Sequence, residues 1–155
     1  MSSKRSGGIL LYRRRAASLE VLLVHPGGPF WSKKDDGAWF IPKGELTEGE
    51  EPLAAARREF REELGSDPPA GEPLALGTVT NKSGKLIYAW ALEGELDVQS
   101  IQSNTFSLEW PPRSGRIREF PEVDRASFFS LEAAAIKIHS AELPLLERLA
   151  TLVPH

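Results

Sequence analysis

The chain has 155 residues, enough for one domain with a core of its own. Its 19 Lys and Arg against 22 Asp and Glu give a formal charge of -3, which implies no general polyanion-binding surface. It has no cysteine, which excludes disulfides and thiolate metal sites, and its three histidines, His25, His139 and His155, are too scattered for a zinc site.

Met1 to Ser6 is polar and expected to fray, and its start, MSSKRSGG, lacks an apolar signal core. No run approaches the ~18 apolar residues of a membrane span, so a soluble, cytoplasmic protein is expected. Gly8–Tyr12 and Leu19–His25 read as two strands, with Arg13–Arg15 and Ala16–Ser18 as the turn between them. Pro26-Gly27-Gly28-Pro29 ends the second strand. Phe30 to Gly37 is a loop rich in aromatics and charges, placed either over a core edge or along a pocket wall. Ala38 to Gly44 reads as a short strand with Pro42 near its end, since proline cannot join a ladder.

After a loop over 45–51, Pro52 suits the first position of a helix reaching about Leu64 and stopped by Gly65. Leu53, Ala56, Phe60 and Leu64 form its apolar stripe, with Glu59, Glu62 and Glu63 beside it at i, i+3 and i+4. Three like charges so close repel unless a cation sits among them. Strands follow at Leu74–Val79 and Lys85–Leu92, joined through a turn at Asn81–Gly84, then a short strand at Ser107–Trp110. Glu119 to Asp124 leads into a last strand at Ala126–Phe129. Leu131–His139 and Ala141–Leu152 read as helices by apolar spacing, with Pro144 in the first turn of the second. There is no repeat and no internal boundary, so 1–155 is expected to be a single domain.

The stretch from Gly44 to Ser66 carries a longer pattern. Gly44, Glu50, Arg58, Glu59, Phe60, Glu62, Glu63 and Gly65 match, position for position, the Nudix box G-x5-E-x7-R-E-U-x-E-E-x-G-U, where U is apolar. Ser66 in the last apolar slot is the one departure. Seven fixed residue types should meet by chance in roughly one window in 10^8. The chain therefore resembles the Nudix hydrolase superfamily. Trp39-Phe40-Ile41-Pro42-Lys43-Gly44 is similar to the W-x-x-P-K-G stretch of diadenosine polyphosphate and diphosphoinositol polyphosphate hydrolases in that superfamily.

The resemblance implies an α/β fold: an α/β/α sandwich with a mixed β-sheet and the box as a loop-helix-loop. It implies hydrolysis of a nucleoside diphosphate linked to some group X. Hard oxygen ligands without sulfur suit Mg2+ or Mn2+. Carried over by position, Glu59, Glu62 and Glu63 look like metal ligands, joined by the backbone carbonyl of Lys43 and an outer role for Glu50. Arg58 resembles the arginine that orients catalytic Glu59, and Gly44 and Gly65 the bends of the box. Members of the family often draw a further glutamate from a later loop, as ligand or base. Glu119 and Glu122 are the candidates, with Glu119 slightly preferred.

Cations that could hold a polyphosphate include Lys33, Lys34, Lys43, Lys82, Lys85, Arg113 and Arg116. Trp31, Trp39, Tyr88 and Trp110 are candidates for the substrate pocket, where a base could stack. The loop 30–37 and the segment 110–118 read as insertions that shape specificity. The leading expectation is a metal-dependent pyrophosphohydrolase acting on a small-molecule nucleotide, a dinucleoside polyphosphate such as diadenosine tetraphosphate or an NTP. An RNA 5′ pyrophosphohydrolase and a non-catalytic nucleotide-binding sensor are the alternatives. No DNA or membrane partner is expected, and the oligomeric state is open.

Overall fold

The computed structural model describes residues 4–154. Its centre is β1 (Arg5–Arg15), which pairs antiparallel with β2 (Ser18–Pro26) and β3 (Lys43–Glu45) and parallel with β5 (Leu86–Glu93). With β4 (Leu74–Thr80) and β8 (Val123–Ser130) at the edges, the order is β4-β5-β1-β2-β8, a mixed sheet. A separate hairpin joins β6 (Thr105–Glu109) to β7 (Ile117–Pro121).

Alternation along the central strands supplies both faces of the sheet. Ile9 and Leu11 of β1 and Leu22 and Val24 of β2 turn to α1 (Pro52–Leu64), meeting Ala56, Phe60 and Leu64. Leu10, Tyr12, Val21 and Leu23 turn the other way, to Ala134 and Ile138 at α2 (Leu131–Lys137) and to Leu145, Leu146 and Leu149 of α3 (Leu143–Leu152). The result is the expected α/β/α sandwich. Close approach of α1 depends on Gly7, where a methyl group would strike the carbonyl oxygen of Pro52. Gly65 closes α1 in the left-handed region, at φ 82, and its N–H donates to Arg61 O at 2.8 Å. No described helix is long and apolar enough to cross a membrane.

Several boundaries differ from the sequence reading. Residues 1–3 lie outside the described residues, but Arg5 and Ser6 belong to β1, and Ser6 is buried between Glu45 and Ile87. Arg13–Arg15 extend β1 instead of forming a turn, because Arg13 pairs across the ladder with Glu20 and reaches Glu95. The strand expected over 38–44 is reduced to bridges at Trp39 and Phe40, with β3 starting only after Pro42. Pro42 has no N–H to give, yet its carbonyl accepts from Ile9 N at 3.1 Å. β7 was not anticipated, since Arg, Glu and Pro mask its alternation. The helix expected from Ala141 begins at Leu143, after a tight turn over Ser140–Glu142.

Candidate active site

The box folds as β3, a loop and α1, and Gly44 sets how closely they meet. A Cβ at Gly44 would coincide with the Glu59 carboxyl group, so only glycine leaves room for that acid. Arg58 then ties the loop to the helix. Its Nε and Nη2 donate to the two oxygens of Glu50, each at 3.0 Å, and Nη2 also reaches the carbonyl of Glu45 at 3.0 Å. Its Nη1 donates to Glu59 at 2.8 Å and to Glu62 at 3.0 Å. The guanidinium and the Thr47 amide hold the Glu50 carboxyl down to about 2. Glu50 thus serves the loop, with its oxygens committed to Arg58 and Thr47.

Glu59 and Glu63 of α1 converge with Glu122, the residue between β7 and β8. One oxygen of each lies within 4.8 Å of the others. All three carboxyls are pushed upward. Burial is the first cause for each; Arg58 opposes it at Glu59, and Lys43 opposes it at Glu63 through its charge and a backbone hydrogen bond. The neighbouring acids add to the rise, Glu62 at both Glu59 and Glu122. Among the described residues no other such group of acids, histidines or cysteines occurs. Three converging carboxylates, their charged forms disfavoured by burial and mutual repulsion, are a donor set suited to a hard divalent cation.

Two of the acids, Glu63 and Glu122, line a cleft of about 250 Å3 together with Trp31, Phe40, Ile41, Lys43 and the β2 residues Val24 and Pro26. A second space of about 310 Å3 shares Trp31, Phe40 and Lys43 and continues to Lys82, Asn81, Ser83 and His139. Phe40 stacks on His139, with centroids 5.1 Å apart and planes at 19°, and meets Trp31 edge-on at 5.5 Å. Lys43 Nζ lies 4.4 Å over the Phe40 ring and pairs with Glu142 at 2.7 Å.

The other candidates are distributed as follows. Glu62 points to Arg58 and borders the three acids. Of the two later glutamates, Glu122 reaches the cluster, while Glu119 sits in β7 and accepts from Thr105 at 3.4 Å. Trp39 is 4% exposed, with Nε1 donating to Asp35 and its ring against His25 and Phe129, so it is a core residue that does not line the cleft. Its neighbour Phe40, on the opposite side of the chain, is the wall residue instead. Tyr88 lies on β5 between Gly7 and Thr78, away from the residues lining the cleft. Lys33 and Lys34 are exposed in the loop over 30–37, Lys34 5.1 Å from the Trp31 ring. Lys85 pairs with Glu45 at 3.1 Å. Trp110, Arg113 and Arg116 belong to the far end of the β6–β7 hairpin, Trp110 against Phe30 at 5.5 Å.

Two residues at the site have no signal in the sequence. Glu142 is 1% exposed and accepts from Ile41 N at 2.9 Å besides pairing with Lys43. His25 is fully buried, with Nδ1 2.8 Å from Asp124 and Nε2 2.7 Å from the carbonyl of Lys34. It pins the aromatic loop beside the cleft. His139 also lines the second space, stacked on Phe40.

The family profile described as NUDIX domain matches residues 3–149. No curated protein matches the sequence. Among solved structures, the Ap4A hydrolase binary complex from C. elegans is similar at a TM-score of 0.67 and 22% identity, covering 95% of this chain and 96% of that one. The NUDIX domain of Shewanella oneidensis NrtR, complexed with ADP ribose, gives 0.67 at 17% identity, covering 98% and 89%. The MutT protein from Methanosarcina mazei Go1 gives 0.64 at 18%, covering 99% and 96%. At these identities the structures establish a shared fold.

Proposed function

The chain belongs to the NUDIX domain family of pyrophosphohydrolases, and from that premise we propose that it hydrolyses a phosphoanhydride bond in a nucleotide bearing a further group X. The observation that carries the reading is the meeting of Glu59, Glu63 and Glu122 beside a cleft that Glu63 and Glu122 line. These three would hold Mg2+ or Mn2+, with Glu62 and the carbonyl of Lys43 beside them. A cation there would neutralise charge on the phosphoryl oxygens and acidify a water. Arg58 keeps Glu59 and Glu62 in place. Glu122, the one acid outside the box, is the candidate to orient the attacking water or take its proton. Phe40 and Trp31 line the cleft where a base would sit. The stretch Trp39–Gly44 supports a dinucleoside polyphosphate as the substrate class.

Purified protein with magnesium should release a nucleoside monophosphate or pyrophosphate from a nucleotide panel. Glu62→Gln combined with Glu63→Gln should abolish release, and Glu122→Gln should lose more activity than Glu119→Gln. A flat panel with normal nucleotide binding would instead identify a sensor.

A further inference from the structure

The β6–β7 hairpin stands outside the main sheet, yet the main chain at its base is fastened to the end of α1 and to Glu122. Gln102 N and Asn104 N donate to the carbonyls of Leu64 and Glu62 at the end of α1, at 3.2 and 2.9 Å. Glu122 N donates to Asn104 O at 2.8 Å, and Gly27 N to Glu122 O at 3.0 Å. The arm's base is therefore tied through the main chain to the end of α1 and to Glu122.

Its two faces differ. Phe106 pairs with Phe120 and Leu108 with Arg118 on one side, while Ser107 pairs with Glu119 and Glu109 with Ile117 on the other. The first face turns to the loop at the cleft: a Cβ on Gly28 would lie 2.9 Å from the Phe106 ring. The Arg118 guanidinium sits 5.6 Å from the Phe120 centroid. Arg116 continues the alternation, its carbonyl accepting from Trp110 N at 2.9 Å, and Trp110 meets Phe30, which is 60% exposed, edge-on. At about 3.4 Å per residue, Arg118 and Arg116 follow Glu122 by about 14 and 20 Å along the strand. No carboxylate among the described residues pairs with either arginine. Lys43, the cation inside the cleft, is already neutralised by Glu142.

We propose that this arm is a specificity element: its Phe120, Arg118, Arg116 and Trp110 face receives the distal phosphate and base of a dinucleoside polyphosphate. The proposal rests on the nucleotide-hydrolysis reading and adds where the second half of the substrate goes. Free positive charge and aromatic faces lie along the arm, beginning at the acids, and its carboxylates are turned to the opposite side.

The test is equilibrium binding of a non-hydrolysable diadenosine tetraphosphate analogue and a non-hydrolysable ATP analogue, with magnesium. Wild type is compared with Arg116→Ser/Arg118→Ser and, separately, with Trp110→Ala, which repeats the test should the first not fold. The ratio of dinucleotide to mononucleotide affinity should fall about tenfold or more. A ratio that stays the same in a folded variant overturns the proposal. Arm-dependent binding in a protein that hydrolyses nothing would sink the hydrolase reading and leave the arm standing. Hydrolysis with arm-independent binding would do the reverse.

Discussion

A methyl group on Gly44 would land on the Glu59 carboxyl, so the effect of Gly44→Ala should fall on the acids rather than on the core. We expect activity to drop by about 100-fold or more, since misplacement of about 1 Å suffices for that, with little loss of stability. Turnover with magnesium and a urea melt check the two halves. The acids also set a pH dependence. Glu59, Glu63 and Glu122 have raised folded-state values, so without metal the folded chain binds more protons than the unfolded chain above the ordinary glutamate range. Stability then falls as pH rises through that window. In EDTA the Tm should decrease as pH rises above the ordinary glutamate range, and Glu63→Gln should flatten the decrease. Glu50 works in the other direction: its lowered value contributes fully above the ordinary range and is lost as pH falls toward about 2.

Among the elements, α1 is held by its contact with β1 more than by its own capping, since Glu51 at its start makes no side-chain cap. Gly7 and Ala56 are what let helix and strand approach. Gly7→Ala should destabilise the fold by about 2 kcal/mol through overpacking, read as a lower urea midpoint with an unchanged m-value. This helix was legible in the chain from end to end. Proline at its start, glycine at its close and the stripe of Ala56, Phe60 and Leu64 are local signals, and local physics honoured them. The strand beside Trp39 was not. One ladder neighbour for each of Trp39 and Phe40 comes from a distant part of the chain, and Pro42 delays regular pairing until Lys43. For that reason Trp39 could not be told from Phe40: which of two adjacent aromatics faces the core depends on a partner hundreds of atoms away.

At the scale of the whole molecule, Glu142 joins the C-terminal layer to the floor of the cleft. It is a buried carboxylate with two partners, Ile41 N and Lys43 Nζ. Removing it leaves an ammonium and an amide without their acceptor, so Glu142→Ala should cost about 3 kcal/mol in a urea melt and weaken turnover as Lys43 shifts. Glu142→Gln, which keeps an acceptor for Ile41, should recover part of the stability.

The family, the helix that carries Glu59, Glu62 and Glu63, and the crowding of like charges on it were readable from the chain alone, because they follow from residue types at short, regular spacing. Tertiary structure alone decided that Glu122 rather than Glu119 reaches those acids, that Phe40 and not Trp39 lines the cleft, and that Glu142 lies beneath Lys43. The first two depend on pairings between distant parts of the chain, where a shift of one residue turns a side chain to the opposite face, and the third on how the turn Ser140–Glu142 packs against Ile41 and Lys43.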